Sequence, residues 1–273
     1  MLRYFHIALI LTACGCVSAH RPNTPAGDVT WTKLVEIVSQ LQWSEADNGA
    51  AFERAQRKLG LENFGAMELG GTLSVARGNR TAARAHPWPR PWGTLDQKLL
   101  CAGDLNGDGR TEYILGCGWF GPMGGIVCIY DDTLRKIAEV ALDDVFALRL
   151  EDLIGDGGLE ILCWQDHHNG TDGWRRYLTI FKFSKSRGLM PVWEGDIYSL
   201  STAGGIDVTK HKVRFIRKRG QPAVIETKHT YSRGTHQDTD SATSYSYLET
   251  PYTITRYLWN PASEKFEAPK GTE

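Results

Sequence analysis

The sequence has almost no net charge, an N-terminal apolar run too short to cross a bilayer, and none of the common catalytic signatures. With 31 Lys and Arg against 32 Asp and Glu, the formal charge is -1. No strong overall field therefore steers the chain toward nucleic acid or an anionic surface. The apolar run Tyr4 to Ala13 is about half the roughly 20 residues that a spanning helix needs. No GxSxG, HExxH or P-loop pattern occurs, which removes the usual serine-hydrolase, zinc-protease and nucleotide signatures. Beyond residue 19 there is no CxxC pair, so a structural zinc site of the knuckle type is excluded.

Glycines and aromatics are plentiful. Twenty-nine Gly, nine Trp, ten Tyr and nine Phe suit short strands joined by many turns better than a helical bundle. Met1-Leu2-Arg3 followed by the short apolar run reads as an export leader over residues 1–19. Leu11-Thr12-Ala13-Cys14 has the form of a bacterial lipobox, with Cys14 acylated; Val17-Ser18-Ala19 offers ordinary signal cleavage instead. Either way the chain is expected to be exported, as a cell-envelope lipoprotein or a secreted protein. Four cysteines remain, Cys101, Cys117, Cys128 and Cys163. An oxidising compartment would permit three full pairings. Cys117 and Cys128 flank the Gly121–Gly124 turn and read either as facing each other across a hairpin or as buried free thiols.

In chain order, residues 20–27 form a Pro-bearing tether. Residues 28–61 form a helical hairpin: Leu34, Ile37, Val38 and Leu41 recur at helical spacing, then Ala51, Phe52, Ala55 and Leu59, with Gly60 as the stop. Residues 62–267 carry the β signals and 268–273 a tail. The Pro-interrupted segment His86–Trp92 is expected to run extended along the β domain. The most informative stretch is Asp104-Leu105-Asn106-Gly107-Asp108-Gly109-Arg110-Thr111-Glu112. It places oxygen side chains at loop positions 1, 3, 5 and 9, with glycine at the sharp turn. Apolar runs on both sides make it a strand–loop–strand unit, continued by Gly125–Tyr130 and Lys136–Leu142 as third and fourth strands. The unit recurs 48 residues later, with Asp152, Asp156, Gly157 and Glu160 on Asp104, Asp108, Gly109 and Glu112. Such a period suits one four-stranded blade. A degenerate third unit follows from Val213 to Glu267 without acidic loop residues, and the Ser/Thr/Asp-rich Ser232–Ser246 reads as a long exposed loop.

The loop and its flanking strands resemble the FG-GAP or VCBS-type repeat of integrin alpha-chain propellers and many exported bacterial proteins. The resemblance covers about residues 99–162 clearly and continues faintly to about 267. It implies a mainly β fold, a small or incomplete propeller-like array of antiparallel four-stranded units, with the helical hairpin added. It also implies a structural Ca²⁺ held by Asp104, Asn106, Asp108, the Arg110 carbonyl and Glu112. A weaker second site would use Asp152, Asp156 and Glu160, because Ile154 replaces a ligand at loop position 3. An EF-hand would need its closing acid at position 12, where Leu115 stands.

The function expected on these grounds is a non-enzymatic, Ca²⁺-binding exported scaffold that presents loops to a protein or glycan partner. It has no nucleic-acid role, and meets a membrane only through a lipid at Cys14. The alternative is a small secreted hydrolase using His167, His168 and Asp172, a cluster whose residue types suit acid–base work. Adjacent strand residues point to opposite faces, however, so His167 and His168 should not share one ligand. Convergence of these groups with a further carboxylate in a cleft would favour the enzyme.

Overall fold

A computed structural model describes residues 29–39, 54–55, 57–61, 73–75, 98–117, 124–168, 173–201, 206–239 and 242–269. The leader, the tether, the His86–Trp92 segment and Asp172 lie outside the described residues.

The fold is mainly β, built from two sheets that do not close on themselves. The first has five strands in chain order: β1 (Leu73–Val75), β2 (Lys98–Gly103), β3 (Glu112–Cys117), β4 (Gly125–Tyr130) and β5 (Lys136–Leu142). β2 to β5 form an antiparallel meander, and β1 joins β2 in parallel. The second sheet begins with β6 (Asp144–Glu151), β7 (Glu160–His168), β8 (Gly173–Ser184) and β9 (Gly188–Ser201). It continues through β10 (Ile206–Ile216), β11 (Val224–Thr239), β12 (Ala242–Glu249), β13 (Thr253–Asn260) and β14 (Lys265–Glu267). Its order is β14-β13-β11-β10-β9-β8-β7-β6, with β12 paired to β11 beyond β13.

β3 (EYILGC) and β4 (GIVCIY) are buried at every position. Both are nearly continuous apolar runs, the pattern of strands covered on two faces. What covers them is a stack of three apolar layers. In the first, helix α1 (Val29–Ser39) and the helical residues 54–55 and 57–59 lay Leu34, Ile37, Val38, Ala55 and Leu59 on Leu100, Leu115, Cys128 and Tyr130. In the second, Leu99, Ile114, Val127 and Ile129, from the opposite face of that sheet, meet Leu148, Ile161, Cys163 and Phe181 of the larger sheet. In the third, Leu162, Leu178, Ile180 and Trp193 meet Ile225 and Phe266, so the two ends of the large sheet enclose a core between them. The period-2 alternation of strand side chains assigns odd and even residues of β2, β3 and β7 to different layers. The first helix is seated by Thr30 Oγ1, which donates to the Asp132 carbonyl at 3.0 Å, and the second by the Tyr130 hydroxyl, which donates to the Leu59 carbonyl at 3.0 Å. Gly60, at φ +61°, ends the second helix as its position in the sequence suggests.

Two features differ from the sequence reading. The second and third four-stranded units do not stand apart: β9 pairs with β10 from Tyr198↔Lys210 to Ser201↔Asp207, fusing them into one sheet. And Ser232–Ser246 is not a loop. β11 runs on to Thr239 and pairs with β12 from Ser232↔Glu249 to Thr239↔Ala242. Ser and Thr are composition signals for turns, yet in this arm the ladder's backbone bonds override them, and Thr and Tyr are good strand formers.

All four described cysteines are buried free thiols. Cys117 lies opposite Ile126 and Cys128 opposite Leu115, so the two are offset along the hairpin rather than facing.

Candidate functional site

The two carboxylate loops take one backbone design. In each, the first Asp caps the turn: Asp104 Oδ1 accepts from Gly107 N at 2.7 Å and Asp108 N at 3.2 Å, and Oδ2 from Gly109 N at 2.7 Å. Asp152 Oδ1 accepts from Gly155 N at 2.6 Å. The fifth residue caps the seventh, Asp108 on Arg110 N at 2.9 Å and Asp156 on Gly158 N at 3.1 Å. The closing glutamate reaches back to position 2: Glu112 Oε2 accepts from Leu105 N at 2.9 Å, and Glu160 Oε2 from Leu153 N at 2.7 Å and Ile154 N at 3.2 Å. Positions 4 and 6 are left-handed in both loops: Gly107 and Gly109 at φ +73° and +82°, Gly155 and Gly157 at +81° and +90°. The pairing of Gly107 with Gly155 is a further repeat signal, legible in the sequence once backbone φ is considered.

At position 3 the loops part. Asn106 Oδ1 accepts from Asp108 N at 3.1 Å and its Nδ2 donates to Glu112 Oε1 at 3.0 Å. Ile154 instead packs into the third core. The ligand position lost from the second loop has become a core position.

The loops also touch. Leu159 N donates to the Asp104 carbonyl at 3.0 Å, and on the far side Ala223 N donates to the Leu153 carbonyl at 2.6 Å. Loop one, loop two and the β10–β11 turn thus form a row along one end of the molecule. A Cβ on Gly158 would lie 2.9 Å from the Leu105 carbonyl oxygen, so that contact requires glycine.

An all-oxygen donor set suits a hard cation. In each loop the fifth-position carboxylate also faces an ammonium from β8 or the turn after it: Lys185 on Asp108, and Lys182 Nζ 2.6 Å from Asp156 Oδ2. The Lys185 hydrogen bond holds the Asp108 carboxyl below the usual range. Burial pushes Glu112 up, and pushes Glu160 to about 8. Among the described residues, no three His, Cys, Asp or Glu side chains are grouped closely enough to hold a metal. Lys182 and Lys185 carry no local sequence signal linking them to the loops.

A second cluster lies away from the loops. A cleft of about 480 Å³ opens between the end of β5 and the β7–β8–β9 surface, with Asp143, Gln165, Tyr177, Thr179 and Glu194 among apolar Leu142, Phe181 and Pro191. Its polar groups are joined. Gln165 Nε2 donates to Thr179 Oγ1 at 2.8 Å, Tyr177 donates to Asp143, and Asp143 N donates to Gln165 Oε1 at 3.1 Å. Burial and the Asp143 carboxylate push the Tyr177 hydroxyl up, so it stays a donor. Arg175 lies over the Tyr177 ring at 4.5 Å and pairs with Glu194 at 3.2 Å and with Asp196. Of the sequence candidates, His167 comes to this site: its Nδ1 is 3.0 Å from Asp143 Oδ2. His168 pairs opposite Trp174 at the end of the β7–β8 ladder.

The chain matches no protein-family model, no curated protein and no solved structure.

Proposed function

We propose that the protein is a non-enzymatic binding module: an open, incomplete array of β-repeat units, stiffened by its loop row, that takes a glycan in the β5/β8/β9 cleft. The observation that carries this reading is the composition of the cleft. The Asp143 and Glu194 carboxylates stand beside apolar Leu142, Phe181 and Pro191, with buried Gln165 and Thr179 bonded behind them, a mixture of acceptors and apolar surface that suits a polyhydroxylated ring with a C–H face. A cavity of about 480 Å³ lies within the roughly 300–1,000 Å³ usual for small-ligand sites. The hydrolase reading has one observation in its favour, the His167–Asp143 pair, whose geometry orients the imidazole as a base.

One experiment separates them. A glycan array, followed by calorimetry on the best ligand, is expected to show binding that weakens at least tenfold in Glu194→Ala and in Asp143→Asn. No retained glycan sinks the binding reading. Release of new reducing ends that disappears in His167→Ala replaces it with the hydrolase.

In the same reading Ca²⁺ would draw together Asp104, Asn106, Asp108, the Arg110 carbonyl and Glu112, whose carboxylates are turned here onto the backbone donors they cap, and more weakly Asp152, Asp156 and Glu160. The cation would displace Lys185 from Asp108. Lys185→Met is therefore expected to tighten Ca²⁺ binding by about tenfold, since one opposing charge leaves the site, and Asp108→Ala to abolish it. Calorimetric titration of chelator-treated protein checks both. Absence of heat in the wild type and in Lys185→Met alike excludes the metal.

A further inference from the structure

The near-zero net charge of the chain hides a polarised surface on the outer face of the β10–β11–β13 sheet. Val213, Phe215, Ile225, Tyr257 and Trp259 turn inward to the third core. Their strand neighbours therefore turn outward. In register across this outer face stand Lys212, Lys228 and Ile254 in one row and Arg214, Glu226 and Arg256 in the next, with Lys210 one pair beyond. On these three strands five cations share the face with a single carboxylate, and the adjoining β14 adds one of each, Lys265 and Glu267. The single carboxylate, Glu226, is buried and already pairs with both Arg214 and Arg256. Lys212 and Lys228 lie directly opposite each other, a like-charge pair that weakens a sheet unless something anionic bridges it.

Apolar groups interleave with these charges. Among the described residues four large apolar side chains stand exposed, and three of them, Tyr252, Ile254 and Leu258, lie on or beside β13. Lys228 Nζ sits 3.6 Å from the centroid of the Tyr252 ring. A sheet face combining lysines, arginines and exposed Tyr, Ile and Leu side chains matches a lipid interface. Ammonium and guanidinium groups meet anionic headgroups there, and apolar side chains enter the upper acyl region. Nucleic acid would call for a groove following a phosphate backbone, and gains nothing from isolated Ile and Leu.

We infer that this face docks the protein on an anionic lipid bilayer, through Lys210, Lys212, Lys228 and the apolar residues of β13. The inference stands apart from the cleft and from the loop row. An acyl chain at Cys14, expected from the sequence, would supply the second of the two weak signals that stable anchoring takes.

The test is sedimentation of the full chain, carrying Cys14→Ser so that no acyl group attaches, with vesicles of phosphatidylcholine alone or with added phosphatidylglycerol. The leader is common to every variant and contributes equally. Binding is expected to be stronger on the anionic vesicles and to fall as salt rises. Lys212→Glu with Lys228→Glu is expected to weaken it by at least about 30-fold, each lysine lost near such a surface being worth about fivefold and each glutamate gained adding repulsion. The single variant Lys212→Glu separates docking from folding, because it turns a repulsive cross-strand pair into an attractive one. It should melt no lower than the wild type while binding anionic vesicles less. Equal binding to neutral and anionic vesicles overturns the inference. So does undiminished binding of the double variant, or tighter retention on a single-stranded oligonucleotide at the same salt.

Discussion

Glu160→Leu is expected to lower the unfolding free energy by about 3 kcal/mol or more, because it strands two buried backbone donors at once. Glu160 is 1% exposed and accepts from both Leu153 N and Ile154 N. A buried donor left without a partner costs about 1–3 kcal/mol, against total stabilities of about 5–15 kcal/mol. Urea unfolding at constant slope checks the number. Glu160→Gln should retain most of the stability, since its amide oxygen still accepts from the loop. The same pair of variants reads out pH. Burial pushes the Glu160 carboxyl to about 8 in the folded chain, against an ordinary value of 4.5. Between those two values the native state keeps a proton that the unfolded state has released. Stability from this group is thus complete below about pH 4.5 and is lost as pH rises toward 8. Glu160→Gln removes the titration, so its melting temperature is expected to be flatter across that window. An unchanged slope would mean that Glu160 titrates normally.

Gly124→Ala is the second large effect, expected at about 3–4 kcal/mol. Two independent costs add. The residue sits at φ +74°, where an L side chain costs about 1–2 kcal/mol. Its new Cβ would also lie 2.3 Å from the Leu142 carbonyl oxygen, a backbone atom that cannot swing aside, and overpacking of this kind costs about 1–3 kcal/mol. Gly188→Ala isolates the first cost, because Gly188 has φ +72° and nothing within 4 Å of the added carbon. It should lose only about 1 kcal/mol. If the two alanines prove equal by chemical denaturation, the contact with Leu142 is not what demands Gly124. Because Leu142 precedes Asp143, the displaced chain should also weaken ligand retention in the cleft.

The parts of this fold legible in the sequence are those written locally. The strands flanking each loop appear as apolar runs of the right length, and the loops repeat their Asp, Gly and Glu positions because each is a self-contained set of caps. The fusion of β9 with β10 was not legible. It depends on two strand ends meeting across residues 202–205, and nothing in Tyr198–Ser201 names its partner. The β11–β12 arm was hidden because serine and threonine signal turns by composition while the ladder needs only their backbone. The cleft was hidden for a different reason. Asp143 and Glu194 are far apart in sequence, and only Gln165 and Thr179, polar residues bordering the apolar runs of their strands, hint at polar contacts in the interior there. His167 stood out in the sequence, but its neighbour His168 and not Asp143 was the obvious companion. Lys182 and Lys185 show the same limit: a lysine beside a strand end names no carboxylate until the sheets are stacked.

The four thiols set a constraint of another kind. Cys101 and Cys163 lie in the second apolar layer, Cys117 and Cys128 in the first. Burial raises the Cys101 and Cys128 thiols to about 12, and Cys163 well above its ordinary value, so almost no thiolate exists while the chain is folded. Opening the molecule exposes all four sulfurs together. In an oxidising medium the exposed sulfurs then pair by proximity in a flexible chain, where only one of the three full pairings joins two sulfurs of the same layer in both cases. Unfolding becomes a one-way event, and the lifetime of the native state, rather than an equilibrium, decides how long the protein persists.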